Sequence, residues 1–317
     1  MKVKVIDPQT ENEGTLEENQ PSIIGETVEP IIDVTEVEDD PTPSYDEEES
    51  VTQPEVRFGD VDINDKDAPL VVLFGATSCG KTMTLVRLTR YLPSKGFIVT
   101  PDREFRPYDK EYFKDCERFD EIVNNPIAAP GTSGYMLVDV ISPNGKVLCK
   151  ILEAPGELYF DPQNPDKQYP HYLNKIINAP NRKVFCVFLE PNWGNRKSRA
   201  DYTTRIRSIK PLMKSADRVI FIFNKIDKLQ HLIKAPGVVN EKLVRKNVRD
   251  SYPGIFEPFR NKIPILNFFN RYNYKLLPFQ TGTFSETIDS NQNKVVLYCE
   301  GPDVYSARLW RLIKKSI

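Results

Sequence analysis

Eight consecutive residues, Gly75-Ala76-Thr77-Ser78-Cys79-Gly80-Lys81-Thr82, have the types and spacing to hold a chain of phosphates. Glycines at both ends let such a loop wrap an oxyanion, so that backbone N–H groups converge on it while the amino end of the next helix adds partial positive charge. Lys81 has the reach for β- and γ-phosphate oxygens, and the Thr82 hydroxyl is a ligand for Mg²⁺. Gly75, Thr77, Ser78, Cys79, Gly80 and Met83 complete the phosphate side of the expected site. A second group, Asn224-Lys225-Ile226-Asp227, lies far along the chain. A carboxylate that accepts from two adjacent donors on a purine edge recognises guanine and rejects adenine, which gives the base to Asp227. Asn224 would brace base and phosphate loop together, and the Lys225 stem would cover one face of the ring.

These groups work only if strands and helices bring them to one place. Leu70 to Phe74 is an unbroken apolar run of strand length, and after the octet Leu85, Leu88 and Leu92 repeat at helical spacing until Pro93. From residue 69 onward short apolar runs alternate with helical spacing, which predicts an α/β domain with a largely parallel sheet. Residues 93 to 134 read as an irregular stretch too long for an ordinary connection. Tyr135 to Ile141 and Lys146 to Leu152 bracket an Asn-Gly turn and predict two antiparallel neighbours. Further strands are expected at Lys183 to Leu189, Arg218 to Asn224 and 275 to 280, with a hairpin-like excursion at 283 to 298. Helices are expected near 171 to 178, 200 to 215, 239 to 251 and 303 to 315, the last covering the sheet with Leu309, Trp310, Leu312 and Ile313. No internal repeat is visible.

The ordered pair of motifs resembles a small GTPase of the Ras, Rab and Arf type, within the translation-factor-related class, over residues 69 to 317. The resemblance implies a P-loop NTPase three-layer fold, mostly parallel with one antiparallel strand, and GTP or GDP bound with Mg²⁺. It also implies three further elements. Leu152-Glu153-Ala154-Pro155-Gly156 stands where the family has D-x-x-G, so Glu153 would orient the metal through water and Gly156 would meet the γ-phosphate, with Glu in place of Asp. Gly131-Thr132-Ser133 resembles the first switch, Thr132 being a metal ligand 21 residues before Glu153; it serves equally well as a loop threonine that starts a strand. Phe279-Gln280-Thr281-Gly282 resembles the loop whose backbone N–H meets guanine O6, giving Thr281 and Gly282 to the base.

The family places Gln after that glycine to position the attacking water; here it is Glu157, whose charge beside the γ-phosphate adds repulsion. Thr77 fills a position where the family leaves room for a partner's arginine. Arg103, Arg106 and Arg118 are internal candidates for that charge. Slow Mg²⁺-dependent hydrolysis, catalysed by Lys81, Glu157 and Thr132 and working as a switch for an unidentified effector or regulator, is the leading expectation. A nucleotide-holding scaffold with little turnover and an ATP-using phosphotransferase are the alternatives. Cys79 reads first as a small side chain packed under the loop and second as a redox-sensitive thiol, since the helix end and Lys81 favour its thiolate.

Composition bounds the rest. Residues 1 to 68 carry 21 Asp and Glu against four Lys and Arg, while the remainder carries 24 against 39. With two aromatics and several prolines the first segment is expected to be a disordered acidic arm, free to contact the basic domain in place of other partners. The basic positions, such as Arg196, Lys197, Arg199, Lys242 and Arg245, read as solvated helix faces ahead of a nucleic-acid or anionic-lipid surface. No apolar run approaches a bilayer span, and the amino end lacks the apolar centre of a secretory signal. Five cysteines, odd in number, widely spaced and without Cys-x-x-Cys spacing, suggest neither a disulfide framework nor a zinc site and suit a reducing cytoplasm. His171 and His231 stand alone, with no ligand spacing.

Overall fold

The computed structural model describes residues 63–129, 134–191, 193–235, 237–261, 273–288 and 294–317. Most of the acidic arm, and the Gly131-Thr132-Ser133 element with it, lies outside the described residues.

Apolar runs bounded by turn residues make strands, and here they assemble into one seven-stranded sheet. Its members are β1 (Leu70–Phe74), β2 (Ile98–Pro101), β3 (Met136–Ile141), β4 (Val147–Glu153), β5 (Lys183–Leu189), β6 (Arg218–Phe223) and, after the short hairpin β7 (Ile233–Ala235) and β8 (Val238–Val239), β9 (Lys275–Pro278). The spatial order is β2-β3-β4-β1-β5-β6-β9. All run parallel except β3, which pairs antiparallel with β2 on one side and β4 on the other. This is the mostly parallel α/β sheet with one antiparallel strand that the sequence implies. β1, β5 and β6 are buried at nearly every residue, so both sheet faces are covered.

The helices are α1 (Lys81–Tyr91), α2 (Lys110–Asn124), the one-turn α3 (Gly156–Tyr159), α4 (His171–Asn178), α5 (Arg196–Arg207), α6 (Glu241–Ser251) and α7 (Asp303–Ser316). α1 packs with α2 and α7, while Tyr202 of α5 meets Tyr252 just beyond α6. Leu309, Trp310 and Ile313 of α7 are buried as expected. The α5 helix starts and stops earlier than the sequence reading, because Asn195 caps it by accepting from the Ser198 N–H and the chain then tightens into a 3-10 turn over Lys210–Leu212.

The described part of the stretch from 93 to 134 is not irregular. It holds β2, a solvent-facing strand at the sheet edge, and the 15-residue α2, whose amino end is capped by the Asp109 carboxylate accepting from Glu111 and Tyr112 N–H groups. Tyr112, Cys116, Phe119 and Ile122 form the buried stripe of that helix. At its far end Arg90 of α1 donates to Ile122 O at 2.6 Å and Val123 O at 2.8 Å, satisfying carbonyls that α2 leaves open. One turn earlier, Arg87 is 2 % exposed and holds the Glu300 and Asp303 carboxylates and Gly301 O. The helix behind the octet is thus tied to α2 on one side and to the start of α7 on the other.

A two-stranded hairpin, β10 (Gly282–Ile288) and β11 (Lys294–Glu300), leaves the sheet between β9 and α7. Residues 126–128 lie along β11: Tyr298 N donates to Pro126 O and Ala128 N to Val296 O, both at 3.0 Å. The order β4-β1-β5 places a reversal of winding at β1, and in sheets of this kind the crevice opens at the strand carboxyl ends there.

Candidate functional site

β1 delivers its carboxyl end to Gly75, where the chain has no room for a side chain: a Cβ would sit 2.6 Å from Cys79 Sγ and 2.9 Å from Phe188 Cβ. The loop then takes Ser78 through φ 63° and Gly80 through φ 90° before α1 starts at Lys81. A Cβ on Gly80 would meet Asn224 Nδ2 at 2.3 Å, so glycine is required both for the left-handed turn and for that contact. α1 has no side-chain cap and no acidic residue in its first turn, which leaves its first N–H groups for an anion. Lys81 curls over the loop and donates to Gly75 O at 3.1 Å and Ala76 O at 3.2 Å.

Cys79 points beneath the loop, 3 % exposed, and burial pushes its thiol pKa up despite Lys81. Burial thus favours the first reading, a small side chain packed under the loop. In the folded chain Cys79 is expected to resist maleimide under conditions where the exposed Cys299 is labelled fully; mass mapping of the modified peptides checks this.

β6 ends in the second motif. Asn224 is fully buried, its backbone N–H donating to Leu189 O at 2.8 Å and its side-chain amide to Cys79 O at 3.0 Å. Lys225, at φ 55°, donates to Ser78 O at 2.7 Å and pairs with the Glu190 carboxylate at the end of β5. Two side chains of one motif thus hold carbonyls of the other. The turn 279–282 locks on as well, with Ile226 N donating to Phe279 O at 3.2 Å and Thr281 Oγ1 within 3.5 Å of Asn224 Oδ1.

The result is one cavity of about 500 Å³. Thr77, Ser78, Gly80, Lys81, Thr82 and Met83 of the first motif line it together with Lys225, Asp227, Thr281 and Gly282. Gly75, Cys79 and Asn224 stand behind this lining as braces. Asp227 is half-buried, and among the described residues no donor pairs with its carboxylate.

The end of β4 meets the octet. Glu153 is 1 % exposed and accepts from the Thr82 hydroxyl. Gly156 abuts the octet so closely that a Cβ would lie 2.2 Å from Thr77 N. Glu157 lines the cavity and accepts from Thr77 Oγ1 at 3.3 Å. None of Arg103, Arg106 and Arg118 lines it: Arg103 faces Asp120 and Arg106 faces Asp109. Thr132 lies outside the described residues, though Ala129, just before it, lines the cavity and donates to Met83 Sδ at 3.1 Å.

Three participants escape a motif search. Glu190 is marked only as a lone carboxylate after a buried strand. Tyr202 places its hydroxyl under the loop, donating to Phe188 O at 2.8 Å. Phe284, on β10, lines the cavity.

Comparisons with protein-family models and with curated proteins find no match. Solved structures match loosely. The GDP-bound Roco2 RocCORdC of Methanosarcina barkeri is 14 % identical, with a TM-score of 0.33, over 78 % of this chain and 50 % of that one. The GTP-bound Ski7 GTPase-like domain of S. cerevisiae is 14 % identical, with a TM-score of 0.40, over 81 % and 53 %. A bacterial selenocysteine-specific elongation factor EF-Sec is 11 % identical, with a TM-score of 0.30, over 73 % and 34 %. The chain spans about half or less of each of these structures, and at such scores the likeness carries no information on function.

Proposed function

We propose that residues 69 to 317 bind GTP and GDP with Mg²⁺ and hydrolyse GTP slowly, as a switch whose state an effector reads. The observation that carries this reading is the shared cavity of Lys81 and Asp227, braced from behind by the Asn224 and Lys225 hydrogen bonds to the phosphate loop. A phosphate chain at one end and a guanine edge at the other are what those two groups suit.

In this reading the loop N–H groups and the Lys81 ammonium offset phosphate charge as it shifts toward the leaving oxygen. Thr82 and Glu153 are oxygen donors already in contact, a set that suits Mg²⁺, which takes one or two side-chain oxygens beside phosphate. Held there, such an ion would supply positive charge to offset that of the phosphates. Thr132 is proposed as the further ligand from the first switch. Glu157 would orient the attacking water through its carboxylate, but it also sets negative charge where negative charge develops, and the Thr77 contact adds bulk at the same place. Both features argue for low intrinsic turnover.

The second reading, a holder of nucleotide without turnover, draws on the same Thr77–Glu157 contact. The acidic arm, residues 1 to 68, is proposed to compete for the basic domain. Competition against a fluorescent GDP analogue tests the central claim. GTP and GDP are expected to displace it at least a hundredfold more effectively than ATP, on the order seen for hydrogen-bonded specificity sites. Equal displacement by ATP would return the chain to the phosphotransferase class.

A further inference from the structure

Phe284 is 49 % exposed, an unusual degree for a phenylalanine that lines a cavity. Its position is built rather than incidental. Gly282 starts β10 with no room for a side chain, since a Cβ would lie 2.2 Å from Cys299 O and 2.6 Å from the Tyr298 ring. Two residues on, and so on the same face of the strand, Phe284 stands opposite Tyr298 in register, with ring centroids 5.3 Å apart. Tyr298 is itself fixed: it is 3 % exposed, its hydroxyl donates to Thr281 O at 2.9 Å, and the Arg90 guanidinium sits 5.2 Å from its ring centroid. A buried, anchored tyrosine thus supports a half-bare phenylalanine in the wall of the cavity that Asp227, Lys228 and Gly282 also line. The other exposed apolar residues of the hairpin, Ile288, Val296 and Leu297, do not line the cavity.

We propose that Phe284 is the surface on which the base of the bound nucleotide stacks, which makes the β10–β11 hairpin a base-holding element. The inference rests on the guanine-nucleotide reading above and extends it to a residue outside both motifs. A phenyl face offers contact area and quadrupole but no hydrogen bond, so it adds affinity without choosing between bases. Choice stays with Asp227. Phe284 is therefore a positioning residue, and its removal is expected to weaken GTP, GDP and any residual ATP binding by the same factor.

Calorimetric titration of the full chain with GDP, and separately with inorganic pyrophosphate, both with Mg²⁺, provides the test. Phe284→Ala is expected to bind GDP roughly tenfold more weakly, as loss of one stacking contact does, and pyrophosphate with wild-type affinity. Phe284→Trp is expected to keep GDP affinity and to show indole quenching with GDP but not with pyrophosphate; the native Trp193 and Trp310 are not among the cavity-lining residues. The proposal is overturned if Phe284→Ala binds GDP as the wild type does. Equal losses toward GDP and pyrophosphate also overturn it, because they would mean that the ring only shapes the hairpin. A wild type that binds neither GDP nor GTP removes the guanine reading together with this one, whereas a binding wild type with an indifferent variant removes this one alone.

Discussion

Asp227→Asn is expected to cut affinity for GTP and GDP by roughly a hundredfold or more and to give the chain affinity for xanthosine nucleotides. In the proposed reading the carboxylate presents two acceptors to the guanine N1–H and exocyclic amine; the amide would keep one acceptor and turn a donor toward the second position, where it suits the carbonyl of xanthine. Such a donor left facing another donor in a half-buried site costs more than the hydrogen bond it replaces. Because no described side chain pairs with Asp227 and its turn is held by backbone bonds such as Lys228 N to Lys225 O at 3.1 Å, the substitution should leave the fold intact. Equilibrium titration with GDP and XDP checks it, and an unchanged preference for GDP would remove Asp227 from the base.

Lys81→Ala carries the other large effect. Phosphate release from GTP is expected to fall to the uncatalysed background, and triphosphate affinity by roughly a hundredfold, since a charge-assisted contact made from inside a low-dielectric loop is lost. Lys81 is 5 % exposed and bridges two carbonyls of its own loop, so the variant also frees Gly75 O and Ala76 O. Lys81→Arg separates the two effects: it keeps the charge and donors, but its planar fork is too long and rigid for the same curl. Single-turnover phosphate release with each variant, beside a thermal melt, distinguishes lost chemistry from a lost loop. Retained turnover in Lys81→Ala would contradict the proposed mechanism.

The site was legible where chemistry forces fixed spacing. The turn through Gly75 and Gly80, and the run Asn224 to Asp227, can each be read from a few residues, because one needs glycine at a left-handed φ and the other needs three particular side chains on a single turn. Their union was not legible, because it depends on Asn224 reaching Cys79 O across the ends of β5 and β1. The parallel sheet was likewise evident from buried runs such as Val184 to Leu189, which carry no alternation. The segment after α1 hid its order for the opposite reason. Ile98 to Thr100 is an edge strand with little buried surface, and it closes on a proline. α2 spreads its stripe of Tyr112, Cys116, Phe119 and Ile122 among nine charged or amide residues; the Asp109 cap was the cue that would have marked its start. Glu190, Tyr202 and Phe284 sit on elements whose positions follow only from the tertiary arrangement.

The guanidinium of Arg87 extends the reach of the site to the start of α7. Its counter-charges, Glu300 and Asp303, come from the end of β11 and the first turn of α7, so replacing either one would leave a nearly buried cation short of a partner on the helix whose first turn bears Lys81. Changes at the start of α7 are therefore expected to be felt along α1 as far as Lys81.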